Sequence, residues 1–251
     1  MINQNGLLSE DKEIKLNELA KKVSYSSGVM SPAIQYCFRI LKRHLAKGDS
    51  ILELGPAEGL MTELLARTDS ELTVVEGSSV FCENLKERFQ NIKVVHSLFE
   101  NFEASKQYNM IVLGHVLEHV ADPVSILRRL SSSLRSDGRI FAAVPNARSL
   151  HRQAAVTMGL LPREDSLNCS DRRHGHQIVF DPESFRSIFM QAGFSIDIFG
   201  GYWLKPISNQ QIEDSWTPSM IEAFMQLGER YPDIAGEIYI LASKRGGKGI
   251  S

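Results

Sequence analysis

The run Ser50-Ile51-Leu52-Glu53-Leu54-Gly55-Pro56-Ala57-Glu58-Gly59 decides the fold. Residues 51–54 read as a short buried strand with one acid, Glu53, near its end. A glycine-bearing turn follows at once, and residues 60–67 resume with helical spacing. Strand, glycine turn, helix is how an open α/β sheet builds a crevice at the carboxyl ends of its strands. A second strand, 72–76, also ends on an acid, Glu76, and runs into Gly77-Ser78. A carboxylate there can accept hydrogen bonds from both hydroxyls of a ribose. Two acids at neighbouring strand ends point to a ligand with a ribose and a cationic or amino end.

Working outward, strands alternate with helices. The pattern predicts further strands at 92–96, 110–114 and 139–144, with helices at 60–67, 79–89 and 123–134. Asp122-Pro123 is a helix start, because Asp caps and proline suits the first turn. Such alternation implies a mostly parallel sheet with right-handed crossovers. Upstream, a helix is expected over 11–23, and Ser31-Pro32 reads as the N-cap of a second that Gly48 stops. Downstream, Asp181-Pro182 opens a helix that Gly193 ends, and 194–199 and 237–243 are the last strands. Two stretches, 146–180 and 200–236, are too long for ordinary connections and are expected to fold over the ligand edge. The chain reads as one domain over 1–251, with a helical cap at 1–47.

Composition narrows the class. Over 251 residues the net charge is −2, and the pI is about 6.4. Nothing in that balance draws the chain to nucleic acid or to an anionic membrane. Hydrophobic runs are too short to span a bilayer, and the start lacks a signal-peptide pattern, so a cytoplasmic location is expected. Cys37, Cys82 and Cys169 are odd in number and scattered, which reads as free thiols in a reducing compartment.

Four pieces then fall in one order: Glu53-Leu54-Gly55-Pro56-Ala57-Glu58-Gly59, Glu76-Gly77-Ser78, the stretch from Tyr108 through His115-Val116-Leu117-Glu118-His119 to Asp122-Pro123, and Gly138 to Pro145-Asn146. Together they resemble the class I, Rossmann-like S-adenosylmethionine-dependent methyltransferases. The H-x-L-E-H-x-x-D-P stretch is similar to the small-molecule branch that includes the ubiquinone-pathway O-methyltransferases. The resemblance implies a three-layer α/β sandwich around a seven-stranded sheet of order 3-2-1-4-5-7-6, last strand antiparallel, with helices on both faces. It implies S-adenosyl-L-methionine as cofactor and S-adenosyl-L-homocysteine as product. One departure stands out: Pro56-Ala57 replaces the x-G of the common E/D-x-G-x-G-x-G loop.

Carried onto this sequence, the resemblance sets Glu53 and Gly55 at the cofactor's amino-acid end and Glu76 at its ribose, with Gly77 and Ser78 beside it. Ser97, Leu98 and Phe99 would flank the adenine, and Gly114 and His115 would border the methyl group. Tyr25 is a further contact from the N-terminal segment. His115 and His176 are the candidate bases for a hydroxyl acceptor. Arg172, Arg173, His174 and His176 form the densest basic run, read either as a solvated loop or as a site for an anionic acceptor. No metal site is expected, since Cys169, His174 and His176 lack a fourth ligand. The expected reaction is methyl transfer to an O or N atom of a small, anionic, phosphorylated, nucleotide- or sugar-linked metabolite, with surface-polysaccharide precursors among the options. A nucleic-acid methyltransferase and a non-catalytic cofactor-binding scaffold or sensor are the alternatives. Neither nucleic acid nor membrane is an expected partner, and the chain is expected as a monomer or homodimer.

Overall fold

The computed structural model describes residues 4–22, 24 and 27–246, with side chains from residue 11 onward. Seven strands form one sheet of order β3-β2-β1-β4-β5-β7-β6. They are β1 (Ser50–Leu54), β2 (Glu71–Glu76), β3 (Lys93–His96), β4 (Tyr108–Gly114), β5 (Leu134–Pro145), β6 (Phe194–Tyr202) and β7 (Glu237–Lys244). β7 runs antiparallel to both its neighbours, and the other pairs are parallel. Class, order and strand direction match the expectation.

Side chains alternate across each strand, so the two sheet faces carry separate cores. On one face, Leu52, Leu54, Ile111, Leu113, Ile140 and Ile240 meet α5 (Pro123–Ser133) and α8 (Pro182–Gln191). On the other, Ile51, Met110, Val112, Phe141 and Leu241 meet α2 (Met30–Lys42), α3 (Leu60–Ala66), Leu85 of α4 (Ser79–Arg88) and Met225 of α10 (Pro218–Arg230). Asp122 and Asp181 cap α5 and α8 through the Ser125 and Ser184 amides, with proline in each first turn.

Three expectations need correction. First, α2 starts at Met30, ahead of Ser31-Pro32, and Val29 caps it without a side-chain bond. Pro32 still fits, because the first four helical amides need no intrahelical acceptor. Second, β5 begins at Leu134, not Arg139, because it pairs with Tyr108 and then slips register before Arg139 meets Met110. Third, the two long connections, expected to fold over the ligand edge, carry helices, and part of the second departs from that edge. The first carries α6 (Leu150–Thr157) and α7 (Cys169–His174). The second holds the end of β6, α9 (Asn209–Ser215) and α10. Met225 and Phe224 accept the Trp203 and Leu204 amides, which pins α10 beside β6 on the α2 face. That part of 200–236 therefore covers a sheet face instead of the ligand edge. Among the described residues no helix is long and apolar enough to cross a membrane.

Candidate active site

The carboxyl ends of β1, β2 and β4 open onto one edge, and each delivers a residue with a special conformation or a buried charge. At the end of β1, Gly55 turns at φ +64° and its amide donates to the Val75 carbonyl at 2.9 Å. A β-carbon there would lie 3.0 Å from Val116 Cγ2 and 3.3 Å from Phe99 Cζ, so both the space and the backbone conformation favour glycine. Ala57 also takes a left-handed φ, +48°, which is the strained conformation that the missing glycine would relieve.

Two carboxylates sit under this loop. Glu53 is 2 % exposed and accepts the Thr62 hydroxyl at 2.7 Å. Burial pushes its carboxyl up to about 8, with Thr62 opposing. Glu76 is 6 % exposed and accepts the Ser78 amide at 2.8 Å and the Ala57 amide at 3.3 Å. Burial raises its pKa too, against those amides. Neither acid has an ion-pair partner among the described residues. A buried acid without a cation at the end of β1 fits a ligand ammonium, and the one at the end of β2 fits a ribose diol. The cofactor's requirements and the residues present therefore agree. Gly77 belongs to the same cradle: a β-carbon there would lie 2.7 Å from Leu16 Cδ1 and 3.1 Å from Leu98 Cδ2.

The remaining cofactor expectations divide. Leu98 and Phe99 face the glycines, as an adenine-flanking surface requires. The side chains of Ser78 and Ser97 are engaged locally: Ser78 caps α4 and donates to Asn17 Oδ1 at 2.7 Å, and Ser97 donates to the Leu98 carbonyl at 2.9 Å. A β-carbon at Gly114 would meet nothing within 4 Å. Tyr25 lies outside the described residues. The helix α1 (Gln4–Lys22) crosses this edge, with Leu16 over Gly77, Asn17 on Ser78 and Ser79, and Glu13 3.3 Å from His96.

Past β4, His115 adopts a left-handed φ of +59° and its amide donates to the Ala143 carbonyl. Its Nδ1 lies 3.3 Å from Glu118 Oε1 and its Nε2 lies 3.8 Å from Glu237 Oε2 and 3.4 Å from the Tyr202 hydroxyl. The carboxylate contacts have ion-pair distances without hydrogen-bond geometry. Burial opposes charge on this ring, but Glu237 and Glu118 together overcome it and raise the pKa to about 9. That shift favours the imidazolium over the neutral ring that a general base needs.

Glu237 joins the site without having been read as a member of it, and Tyr202 reaches it from the end of β6. In register, Glu237 opens β7 opposite Pro145 and Tyr202, which close β5 and β6. The legible signal was an acid at the head of an otherwise apolar strand. Lys205 is also nearly buried (8 % exposed), and burial lowers its pKa to about 8, against the pull of Glu237.

The basic insertion resolves into paired and unpaired charges. Arg152 is 4 % exposed and works as an internal clamp, donating to the Glu164 carbonyl at 2.7 Å, to Asp171 Oδ2 at 3.1 Å and to the Ser166 carbonyl. Arg148 grips Glu183, and Arg163 pairs with Asp165. Arg172 and Arg173 are exposed on α7 and make no ion pair among the described residues. Arg172 lines an open cleft of about 540 Å³ with Asp165, Leu167 and Gln177. His174 Nδ1 turns back to the Ser170 carbonyl at 2.8 Å. His176 Nδ1 faces Asp171 Oδ1 at 3.4 Å, and its ring meets His119 edge-on. The Gln177 and Ile178 amides donate to the Glu118 carbonyl, so the insertion is stitched to the turn after β4.

Comparison with known proteins agrees with this geometry. A family described as "Methyltransferase domain" matches residues 25–197. The ubiquinone biosynthesis O-methyltransferase of Aeromonas salmonicida (strain A449) is 24 % identical over 170 residues, covering 65 % of this chain and 70 % of that one. Among solved structures, the chain is similar to a coclaurine N-methyltransferase bound to N-methylheliamine and SAH, with TM-score 0.59, 18 % identity, and 88 % and 73 % of the two chains covered. It is also similar to the Burkholderia thailandensis 1,6-didemethyltoxoflavin-N1-methyltransferase, with TM-score 0.62, 14 % identity, and 96 % and 88 % covered. At these identities the two structures speak to the fold alone.

Proposed function

The chain belongs to the class I S-adenosylmethionine-dependent methyltransferases, whose methyltransferase domain it carries over residues 25–197, and from this premise we propose that its acceptor is an oxygen atom of a small anionic metabolite. The cofactor supplies an electrophilic methyl group on a sulfonium. When it is bound, Glu53 would hold its amino end, Glu76 its ribose, and Leu98 and Phe99 its adenine. When bound, that methyl group would be open to in-line attack by the acceptor oxygen, with the C–S bonding pair left on sulfur and the acceptor's proton lost to water. Such a step depends chiefly on alignment and on excluding water. His115, past β4 and flanked by Glu118 and Glu237, would present a ring N–H at that edge.

An oxygen acceptor is favoured over nitrogen by the O-methyltransferase named among the sequence relatives. The observation that carries an anionic acceptor is the pair Arg172 and Arg173. They are exposed on α7, while Arg148, Arg152 and Arg163 in the same insertion are neutralised. Guanidinium groups in that position suit phosphate and carboxylate. The test is methyl transfer from a labelled donor to matched phosphorylated and neutral acceptors. With Arg172→Ala/Arg173→Ala, KM for the phosphorylated acceptor is expected to rise about tenfold or more, from roughly 1.5–3 kcal/mol of charged hydrogen bonding, with kcat little changed. Unchanged KM would remove the anion reading.

A further inference from the structure

One cluster of donor atoms has a capacity that methyl transfer alone does not use. Glu118 and His119, on the turn after β4, and His176, just past α7, each bring one donor atom to within 4.8 Å of the others. The sequence grouped His176 with Cys169 and His174; the fold sets it against the H-x-L-E-H stretch instead.

Three observations mark this as a ligand site. Glu118 is 1 % exposed, and neither of its carboxylate oxygens finds a hydrogen-bond partner among the described residues. His115 Nδ1, at 3.3 Å, faces only Oε1. A buried carboxylate oxygen without a donor is costly, and a cation relieves that cost. Next, His176 is backed by a carboxylate: its Nδ1 lies 3.4 Å from Asp171, which is itself held by Arg152 at 3.1 Å and by the Asn168 amide at 2.9 Å. A carboxylate behind an imidazole fixes its tautomer and leaves Nε2 as a lone-pair donor, the usual arrangement around metal-binding histidines. Lastly, the His119 ring is fixed by the Gly175 backbone and meets His176 at 4.8 Å between ring centres, with the planes at 86°.

We propose that Glu118, His119 and His176 bind one borderline divalent cation, of the zinc, cobalt, manganese or iron(II) class, through two imidazole nitrogens and one carboxylate oxygen. Two nitrogens and a carboxylate suit these ions, whereas magnesium and calcium prefer all-oxygen sets. The donors stand wider apart than the ~3.4 Å that bonds of about 2 Å demand. Cation binding would draw the three donors together by small side-chain shifts. Three protein ligands leave positions open, where an acceptor oxygen would be oriented and made more acidic. That second role rests on the methyl-transfer reading; the cation site itself does not. His176 is then a ligand, and the acceptor's proton is lost to water.

The test uses the full chain, stripped with a chelator, titrated with Co²⁺ and followed by its visible absorption, with Zn²⁺ competing. S-adenosyl-L-homocysteine binding is measured calorimetrically on the same samples. We expect one equivalent of Co²⁺, displaced by Zn²⁺. Affinity should fall at least tenfold in His176→Asn and Glu118→Gln, and about 10–100-fold in Asp171→Asn, with S-adenosyl-L-homocysteine binding retained as evidence of folding. No Co²⁺ binding by protein that still binds S-adenosyl-L-homocysteine would overturn the site. So would Co²⁺ affinity unchanged in both His176→Asn and Glu118→Gln. Loss of S-adenosyl-L-homocysteine binding alone would count against the cofactor assignment and leave the Co²⁺ result to be read by itself.

Discussion

Glu53 carries a carboxyl that burial drives up to about 8, so it is mostly protonated in the unliganded protein at neutral pH. A cofactor ammonium beside it would reverse that preference. Cofactor binding near pH 7 should therefore release a proton, and affinity should rise with pH until about 8. Calorimetry in buffers of different ionisation enthalpy reads the proton count. A fraction of a proton to one proton is expected for the wild type and close to none for Glu53→Gln. Ala57 makes the complementary point about reading residues. Its missing glycine was visible in the sequence, but its conformation was not. The structure accepts φ +48° there because the Ala57 amide gains Glu76 as acceptor at 3.3 Å.

Elements α6 and α7 depend on Arg152, whose guanidinium joins α6 to the following loop and to Asp171 at the start of α7. Removing one partner of such a buried pair costs about 3–5 kcal/mol. Arg152→Met should loosen residues 150–178, seen as faster amide hydrogen exchange confined to that stretch, while cofactor binding persists. Exchange that stays slow throughout would contradict the clamp. The strands and the helices of the central sheet were legible because period-two and helical apolar patterns coincide with caps such as Asp122-Pro123. The insertion was not legible, because its helices are short and held by charge. Asn168 and Asp171 form a reciprocal cap, and Arg152 is buried where sequence suggests a solvated cation. Glu237 escaped for a related reason: only the pairing of β7 between β5 and β6 carries it to the site.

For the molecule as a whole, buried charge sets the pH response. The folded chain keeps a proton on Glu53 up to about pH 8 that a carboxyl at its ordinary 4.5 releases, and one on His115 up to about 9 against an ordinary 6.5. In both cases the folded state binds more protons in that window, so stability falls as pH rises. The melting temperature should drop between pH 6.5 and 8, below the range where Lys205 acts in the opposite sense, by roughly 2–4 °C for each kcal/mol lost, and the drop should be shallower in Glu53→Gln. A melting temperature that rises over that range would contradict the assignment. The carboxyl edge that collects these groups also defines the cofactor site, and one titration addresses it most directly. S-adenosyl-L-homocysteine is titrated calorimetrically into the wild type and into Glu76→Gln. The account predicts micromolar binding to the wild type, weakened by about 1.5–3 kcal/mol when the charged ribose contact is lost. No binding to folded wild-type protein, or equal affinity in Glu76→Gln, would contradict it.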